Sequence, residues 1–438
     1  MSRQLPATPE TGVVDALTHD GEGVVHAGKA AFIPGALPGE TVVYLRRKRF
    51  RSHDEAELRE VLQSSPLRVT PPCPHFAQCG GCALQHLSAA SQVEVKFQQL
   101  RDNLQRLGHV EPLRWLEPIT DQVWNYRRRA RLGARYVHKR ERSLVGFRER
   151  QGSFIAAIDT CEVLAKPANQ LIAPLSELFT SLSIRERLPQ VELAVGENAT
   201  ALVLRVLSPP SPQDLDALRA FEVKHGVSLF LQSGGLNTVQ PLTPPAPALA
   251  YTLPEFDVRL EFLPTDFVQV NAAINRQLVG QVIELLELER QSRVLDLFCG
   301  SGNFSLPLAR RAGAVVAVEG DAGLVERARA NAHRNGLFNV DFHVSDLFAA
   351  TALEAKWWQG DFSHVLLDPP RAGARELLPR VAKLRPKRLV YVSCHPATLA
   401  RDLGLLVHEH GFRLLAAGVA DMFPHTAHIE SIALLEPG

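Results

Sequence analysis

Two residues near the C-terminal end have the side chains that covalent catalysis needs. Cys394, in VYVSCHPATLARDL (390–403), sits where a predicted strand gives way to a predicted helix. Helix amide dipoles at such a place favour a thiolate. A lone cysteine is more often a small buried residue, but this one falls on the ligand edge of the sheet described below, so a nucleophile is expected. Glu430, in DMFPHTAHIESIALLE (421–436), lies among Ile429, Ile432 and Leu434 in what reads as a final strand. A carboxylate in that company is costly to bury unpaired. General-base work is one reason for it, and an edge position facing water is the other. His425 and His428 could be ligands, but read more simply as ordinary hydrogen-bonded histidines.

Upstream, VLDLFCGSGNFSLPLA (294–309) is a strand, a glycine turn and a helix start, with Gly300 and Gly302 letting the backbone approach a ligand closely. Glu319 ends the next predicted strand, where an acidic group can hold both hydroxyls of a ribose. A nicotinamide dinucleotide competes for this pattern, but the third small residue it wants is Ser305. Asp296 ahead of the turn suits S-adenosylmethionine better. LLDPPRAGA (366–374) puts an acid and two prolines at another strand end, where proline halts the ladder and stiffens the loop. Arg371 stands where an amino-group methylator would carry an aromatic residue, which argues against that chemistry.

A third constellation is C-x5-C-x2-C in CPHFAQCGGC, formed by Cys73, Cys79 and Cys82. In a reducing compartment such density reads as a metal site, with Cys161 as the fourth thiolate, because Cys299 and Cys394 belong to motifs of their own. Four soft thiolates suit zinc or an iron-sulfur cluster equally. Gly80 and Gly81 would let the chain turn tightly there.

The elements that must position these residues follow from periodicity. Residues 10–65 alternate apolar and polar runs between Gly and Pro, the punctuation of a small barrel like those that bind oligonucleotides. Residues 91–107 predict a helix, with Ser91 and Glu94 as a capping box, Val93, Phe97, Leu100, Leu104 and Leu107 on one face, and Gly108 as its stop. Strand-like runs return over 124–207, and the proline-rich stretch at 241–254 marks a boundary. Beyond it, predicted strands at 293–298, 315–319, 340–343, 364–368 and 389–393 alternate with helical patterns. That is an α/β architecture with a doubly wound, mainly parallel sheet, whose ligands bind at the carboxyl ends of the strands.

Composition agrees with a folded protein: 438 residues, 45% hydrophobic and 22% charged. This excludes disorder and fibrous repeats. No apolar run is long enough for a membrane span, and residues 1–12 lack the pattern of a signal peptide, so no membrane association and a cytoplasmic location are expected. The net charge of +1 hides a gradient, with 23 Lys/Arg against 17 Asp/Glu in residues 1–160. Five of the six residues at 46–51 are basic, and ten basic residues lie within 127–150. Solvated faces would explain them, but two such blocks in one half point towards nucleic acid.

Taken together, CPHFAQCGGC, YRRRARL (126–132), DFVQVN (266–271), VLDLFCGSGNF, LLDPPRAGA, SCHPATLARD and DMFPHTAHIES resemble the iron-sulfur RNA (uracil-5)-methyltransferases over nearly the whole length. The likeness is greatest to the bacterial branch that methylates 23S ribosomal RNA. The resemblance implies a TRAM (OB-like) β-barrel for RNA binding at 1–65 and a β-rich central domain at 66–90 and 124–262. That central domain would hold a [4Fe-4S] cluster on Cys73, Cys79, Cys82 and Cys161. It implies a Rossmann-like S-adenosylmethionine domain at 91–123 and 263–438, in which Gln269, Phe298, Asn303, Glu319, Asp346 and Asp368 contact the methyl donor. Cys394 would add to carbon 6 of uracil and Glu430 would remove the carbon 5 proton, with 23S rRNA as substrate and a monomer as the expected state. Three positions depart from the family: His395 replaces the usual Asn, Asp346 a frequent amide, and Ser301 stands at a variable place. RNA cytosine-5 methylation and another uridine site in rRNA or tRNA are the enzymatic alternatives; a binding or assembly factor with a vestigial site is the alternative from another class.

Overall fold

The structure, a computed structural model, describes residues 8–150 and 152–438. The leader reading above therefore rests largely on residues outside the described ones. Among the described residues no helix is long and apolar enough to cross a membrane. The chain divides into two compact units: residues up to Gln99 with 148–154 and 423–428, and residues 100–147, 155–422 and 429–438.

The first unit is built on six strands, β1 (Glu10–Val13), β2 (Ala16–Leu17), β3 (Glu22–Val25), β4 (Ala30–Pro34), β5 (Thr41–Arg49) and β6 (His53–Gln63). They form one sheet in the order β1-β5-β6-β4-β3-β2. Every second residue at the start of β5 points inward, so that Val42 and Tyr44 pack with Val14, Val25, Ile33 and Ala56. The same alternation buries Arg46, whose guanidinium pairs with Glu10 and Asp54 at 3.0 Å each. The basic run at 46–51 is thus not one solvated patch: its first member is an internal counter-ion.

The helix α1 (Ala89–Asn103) starts earlier than its sequence signal. Ser88 caps it by accepting the Ser91 amide at 3.2 Å, so the predicted Ser91–Glu94 box lies inside the first turns. Gln92 and Lys96 are buried as well as Phe97, and Leu107 is exposed. Lys96 donates to the Phe423 carbonyl (2.9 Å), and Gln92 accepts the His425 amide (2.8 Å) while its own amide group meets that histidine's Nδ1. Polar partners at 423–428 therefore override the apolar periodicity, and His425 is a structural, hydrogen-bonded histidine.

In the second unit a π-helical turn, Leu104–Gly108, ends with His109 in the left-handed region, so the stop falls one residue after Gly108. Gly108 serves a different purpose, since a Cβ there would lie 2.5 Å from the Ala400 carbonyl oxygen. Next come β7 (Arg114–Trp115), β8 (Arg129–Val137), β9 (Arg142–Gly146), α2 (Ile172–Ser181), β10 (Gln190–Val195), β11 (Thr200–Arg205), α3 (Pro212–His225), β12 (Ser228–Gln232) and β13 (Val239–Pro241). Six of these strands make a mixed sheet in the order β13-β12-β11-β10-β8-β9. A hairpin, β14 (Leu249–Leu253) and β15 (Val258–Phe262), follows where the sequence suggested a boundary.

The remaining elements are α4 (Ala272–Leu286), β16 (Arg293–Leu297), α5 (Ser305–Arg311), β17 (Ala314–Glu319), α6 (Ala322–Arg334), β18 (Val340–Val344), β19 (His364–Leu367), α7 (Leu378–Lys383), β20 (Arg388–Ser393), α8 (Pro396–His408), β21 (Phe412–Ala420) and β22 (Glu430–Pro437). They form an eight-stranded sheet in the order β18-β17-β16-β19-β20-β22-β21-β7. All five predicted strands of the parallel portion are present and are mutual neighbours. β22 runs antiparallel between β20 and β21, so Glu430 is on an interior strand and the water-facing edge reading of it is overturned.

Candidate active site

The sheet register gathers the motif residues at one edge. Leu297 is paired with Val318 and Leu367, and Leu367 with Tyr391. Phe298, Glu319 and Asp368 therefore leave the sheet side by side at its carboxyl edge, with Cys394 just beyond the end of β20. Ser393 pairs with Ser431 in the antiparallel ladder of β20 and β22. One further step places Cys394 opposite Glu430.

The turn after β16 leaves room for a ligand. Phe298, Gly300 and Gly302 have φ of 68°, 56° and 95°, and a Cβ at Gly300 would meet nothing within 4 Å among the described residues. Glu319 secures this turn by accepting the Gly300 amide (3.1 Å) as well as those of Gly320 and Asp321. Asn303 is held at its oxygen by Tyr251 (3.0 Å) and Asn275 (2.9 Å). Gln269 lines a small cavity with Arg128, Tyr251 and Asn275. The YRRRARL and DFVQVN motifs are joined there: the Arg128 amide donates to the Val270 carbonyl at 2.9 Å, and Arg127 bridges Asn271. Phe298 lies 5.7 Å from Phe348. Asp346 is exposed, and its carboxylate accepts the Phe348 amide (3.0 Å), which shapes that side of the edge.

Acid groups dominate the electrostatics. Burial pushes Asp296 up to about 7, despite the Ser305 hydroxyl bond that favours its anion. Its second oxygen, Oδ1, has no hydrogen-bond partner among the described residues. Burial, with the charges of Asp296 and Glu319, likewise pushes Asp368 up to about 7. Glu430, 3% exposed, is raised well above the carboxylate range by burial and by Asp368. Such an array of acids favours a cation beside it. The sulfonium donor expected from the glycine turn fits this chemistry.

The same acids act on Cys394. Burial first, then the charges of Glu430 and Asp368, push its thiol up to about 11, while the Arg371 guanidinium acts in the opposite direction. The expectation that helix dipoles make Cys394 a ready thiolate is therefore corrected: burial first, and then the neighbouring carboxylates, hold it as a thiol. His395 is the N-cap of α8, its ring nitrogen accepting the Thr398 amide at 3.3 Å. This is the role for which Asn is also well suited, so the departure at His395 has a structural explanation.

The thiols of Cys73, Cys79, Cys82 and Cys161 are half-buried. Among the described residues no three His, Cys, Asp or Glu side chains are grouped as a metal-binding set. Neutral thiols have no mutual attraction, and drawing several thiolates together takes a bound cation. The donor chemistry of the loop nevertheless suits an anionic cluster. The Gly81 amide donates to the Cys79 sulfur at 3.4 Å, and the charge of Arg150 acts on Cys79 and Cys82. Arg150 donates to the Phe76 and Cys82 carbonyls, and a Cβ at Gly80 would lie 3.0 Å from the Arg148 carbonyl oxygen, so Gly80 permits a close backbone approach.

Tyr251, Asn275 and Arg128 were not singled out from sequence. Asn275, one turn after the helix cap Asn271, and the arginine run around Arg128 left a signal; Tyr251 left none, since its position depends on the hairpin fold.

A family model described as tRNA (Uracil-5-)-methyltransferase matches residues 252–437. A protein of Methylococcus capsulatus named 23S rRNA (uracil(1939)-C(5))-methyltransferase RlmD is 49% identical over 436 residues, covering 99% of this chain and 98% of that protein. The identically named protein of Alkalilimnicola ehrlichii is 50% identical over 436 residues, with the same coverage. The crystal structure of Pyrococcus abyssi tRNA (uracil-54, C5)-methyltransferase in complex with S-adenosyl-L-homocysteine superposes with a TM-score of 0.75 at 26% identity, covering 97% of this chain and 100% of that one. With half of its residues shared along the full length of such relatives, the chain belongs to the RNA (uracil-C5)-methyltransferase family.

Proposed function

We propose that this enzyme transfers a methyl group from S-adenosylmethionine to carbon 5 of one uridine in 23S rRNA, position 1939 in the numbering its named relatives share, giving 5-methyluridine. The observation that carries the reading is the position of Cys394 one residue beyond the Ser393–Ser431 pair of β20 and β22, where the charges of Glu430 and Asp368 act on its thiol. S-adenosylmethionine supplies an electrophilic methyl group, held by Gln269, Phe298, Asn303, Glu319, Asp346 and Asp368. Carbon 5 of uracil is too weak a nucleophile for that group unaided. Cys394, its thiol proton lost to solvent, adds as a thiolate to carbon 6 and drives electrons to carbon 5, which takes the methyl group as S-adenosylhomocysteine leaves; the ionised Glu430 carboxylate then removes the carbon 5 proton, and the Cys394 thiolate leaves as the carbon 5–carbon 6 double bond re-forms. Burial and the charge of Asp368 give the Glu430 carboxylate a strong affinity for a proton, so it is a strong base once ionised. The base must leave its stack to reach Cys394.

Residues 1–65 are proposed as an RNA-binding TRAM barrel. Cys73, Cys79, Cys82 and Cys161 are proposed as ligands of a [4Fe-4S] cluster that organises the central RNA-binding region. Stoichiometric iron and sulfide in anaerobically purified protein supports that cluster, and their absence removes it.

The test of the reaction is mass spectrometry of nucleosides from 23S RNA treated with the protein and S-adenosylmethionine, with Cys394→Ala alongside. 5-Methyluridine at one site, abolished in the variant together with covalent capture of 5-fluorouridine RNA, supports the reading. 5-Methylcytidine overturns the base assignment, methylation of tRNA alone overturns the substrate, and capture by Cys394→Ala overturns the nucleophile.

A further inference from the structure

The DPPRAGA loop is fastened to the helix that follows Cys394 through one carboxylate with no place in the mechanism above. Asp402, on α8, is fully buried. Its Oδ2 accepts the Ala374 amide at 2.8 Å and the Tyr391 hydroxyl at 2.6 Å, and its Oδ1 accepts Arg401 Nε at 2.8 Å. Arg401 in turn donates to the Ala372 carbonyl (2.9 Å), and Thr398, also on α8, donates to the Arg371 carbonyl (3.1 Å). Gly373 is pressed against the same carboxylate: φ is +83°, and a Cβ would lie 2.5 Å from Asp402 Oδ2. Contacts from Thr398, Arg401 and Asp402, spread over about one turn of α8, thus fix the backbone at 371–374.

A surface loop needs none of this for solubility, and a buried acid is retained only where its partners satisfy it. The connection between Asp402 and chemistry is Arg371. Its side chain is exposed and its backbone is clamped, while its charge opposes the carboxylates around Cys394. We propose that Asp402 is a positioning residue: by clamping residues 371–374 onto α8 it holds the Arg371 guanidinium where it stabilises the Cys394 thiolate as the sulfur attacks. Tyr391, in β20 three residues before Cys394, ties the clamp to the strand that carries the nucleophile.

The proposal rests on Cys394 as nucleophile, so its test separates the two. The rate of covalent capture of 5-fluorouridine RNA is measured against pH for wild type, Asp402→Ala, Asp402→Asn and Cys394→Ala, with S-adenosylmethionine and RNA affinities measured in parallel. Asp402→Ala is expected to slow capture about tenfold near neutral pH and to move the profile towards higher pH, with both affinities within about twofold of wild type. Asp402→Asn keeps an acceptor for the Ala374 amide and the Tyr391 hydroxyl but loses the charge facing Arg401, so it gives a smaller shift in the same direction. A lever on the thiolate moves the pH profile, whereas general loosening of the fold lowers both affinities and leaves the profile in place. That second pattern in Asp402→Asn overturns the proposal, as does wild-type capture by Asp402→Ala. Capture by Cys394→Ala overturns the nucleophile, and the proposal with it.

Discussion

At the scale of single residues, the site is an arrangement of acids around one thiol. Burial and the charge of Asp368 favour a protonated, neutral Glu430, so Glu430→Gln keeps the neutral shape and removes the proposed base. The variant should add to uracil and transfer the methyl group, with its attack profile near neutral pH close to that of wild type, yet accumulate a covalent RNA adduct because the carbon 5 proton has no acceptor. Denaturing gel electrophoresis of labelled RNA checks this, and clean turnover removes Glu430 from the base role. Asp296 and Asp368 make a second prediction. Both titrate at about 7 in the unliganded fold, so below that pH they are largely neutral and above it anionic. A cationic donor favours the anions, so its affinity should rise between about pH 6 and about pH 8, and binding near pH 7 should release protons. Calorimetry in buffers of different ionisation enthalpy measures both effects; a pH-independent affinity would mean that these acids do not sense the sulfonium.

At the scale of elements, caps and close approaches decide what propensity leaves open. α1 is capped by Ser88, not by the Ser91–Glu94 pair that its sequence advertises, because the helix gains a further turn when Gln92 and Lys96 find partners at 423–428. Ser88→Ala should cost about 0.5–2 kcal/mol of stability in denaturant titration, and Ser91→Ala distinctly less; equal costs would restore the sequence reading of the cap. β22 makes the same point for chemistry. Alternation marked Glu430 as part of a strand but was silent on whether that strand lay at an edge. Hydrogen bonding to β20 and β21 on either side turned a residue that could have faced water into a buried one.

At the scale of the whole molecule, charge is used differently from what a count suggests. Arg46, Arg128, Arg129 and Arg150 belong to the basic runs, yet ion pairs with Glu10, Asp54, Glu197 and Glu192, or carbonyl partners, occupy them inside the fold. Arg131, Arg135, Lys139 and Arg140 remain exposed. Replacing Lys139 and Arg140 with Gln should therefore weaken RNA binding and flatten its salt dependence while leaving donor affinity unchanged, whereas an unaltered salt slope would exclude this face from RNA contact. The sequence alone determined the chemistry and the parallel sheet that carries it, because glycine turns, strand ends and apolar alternation are local patterns with local physical causes. The places of Cys394, Glu430, Glu319 and Asp368 at strand ends were legible in this way. Only the tertiary structure decided how those groups act on one another. The opposition of Cys394 and Glu430, the protons held by Asp296 and Asp368, the inward arginines and the clamp of Asp402 all depend on register and burial, which arise between segments far apart in the chain.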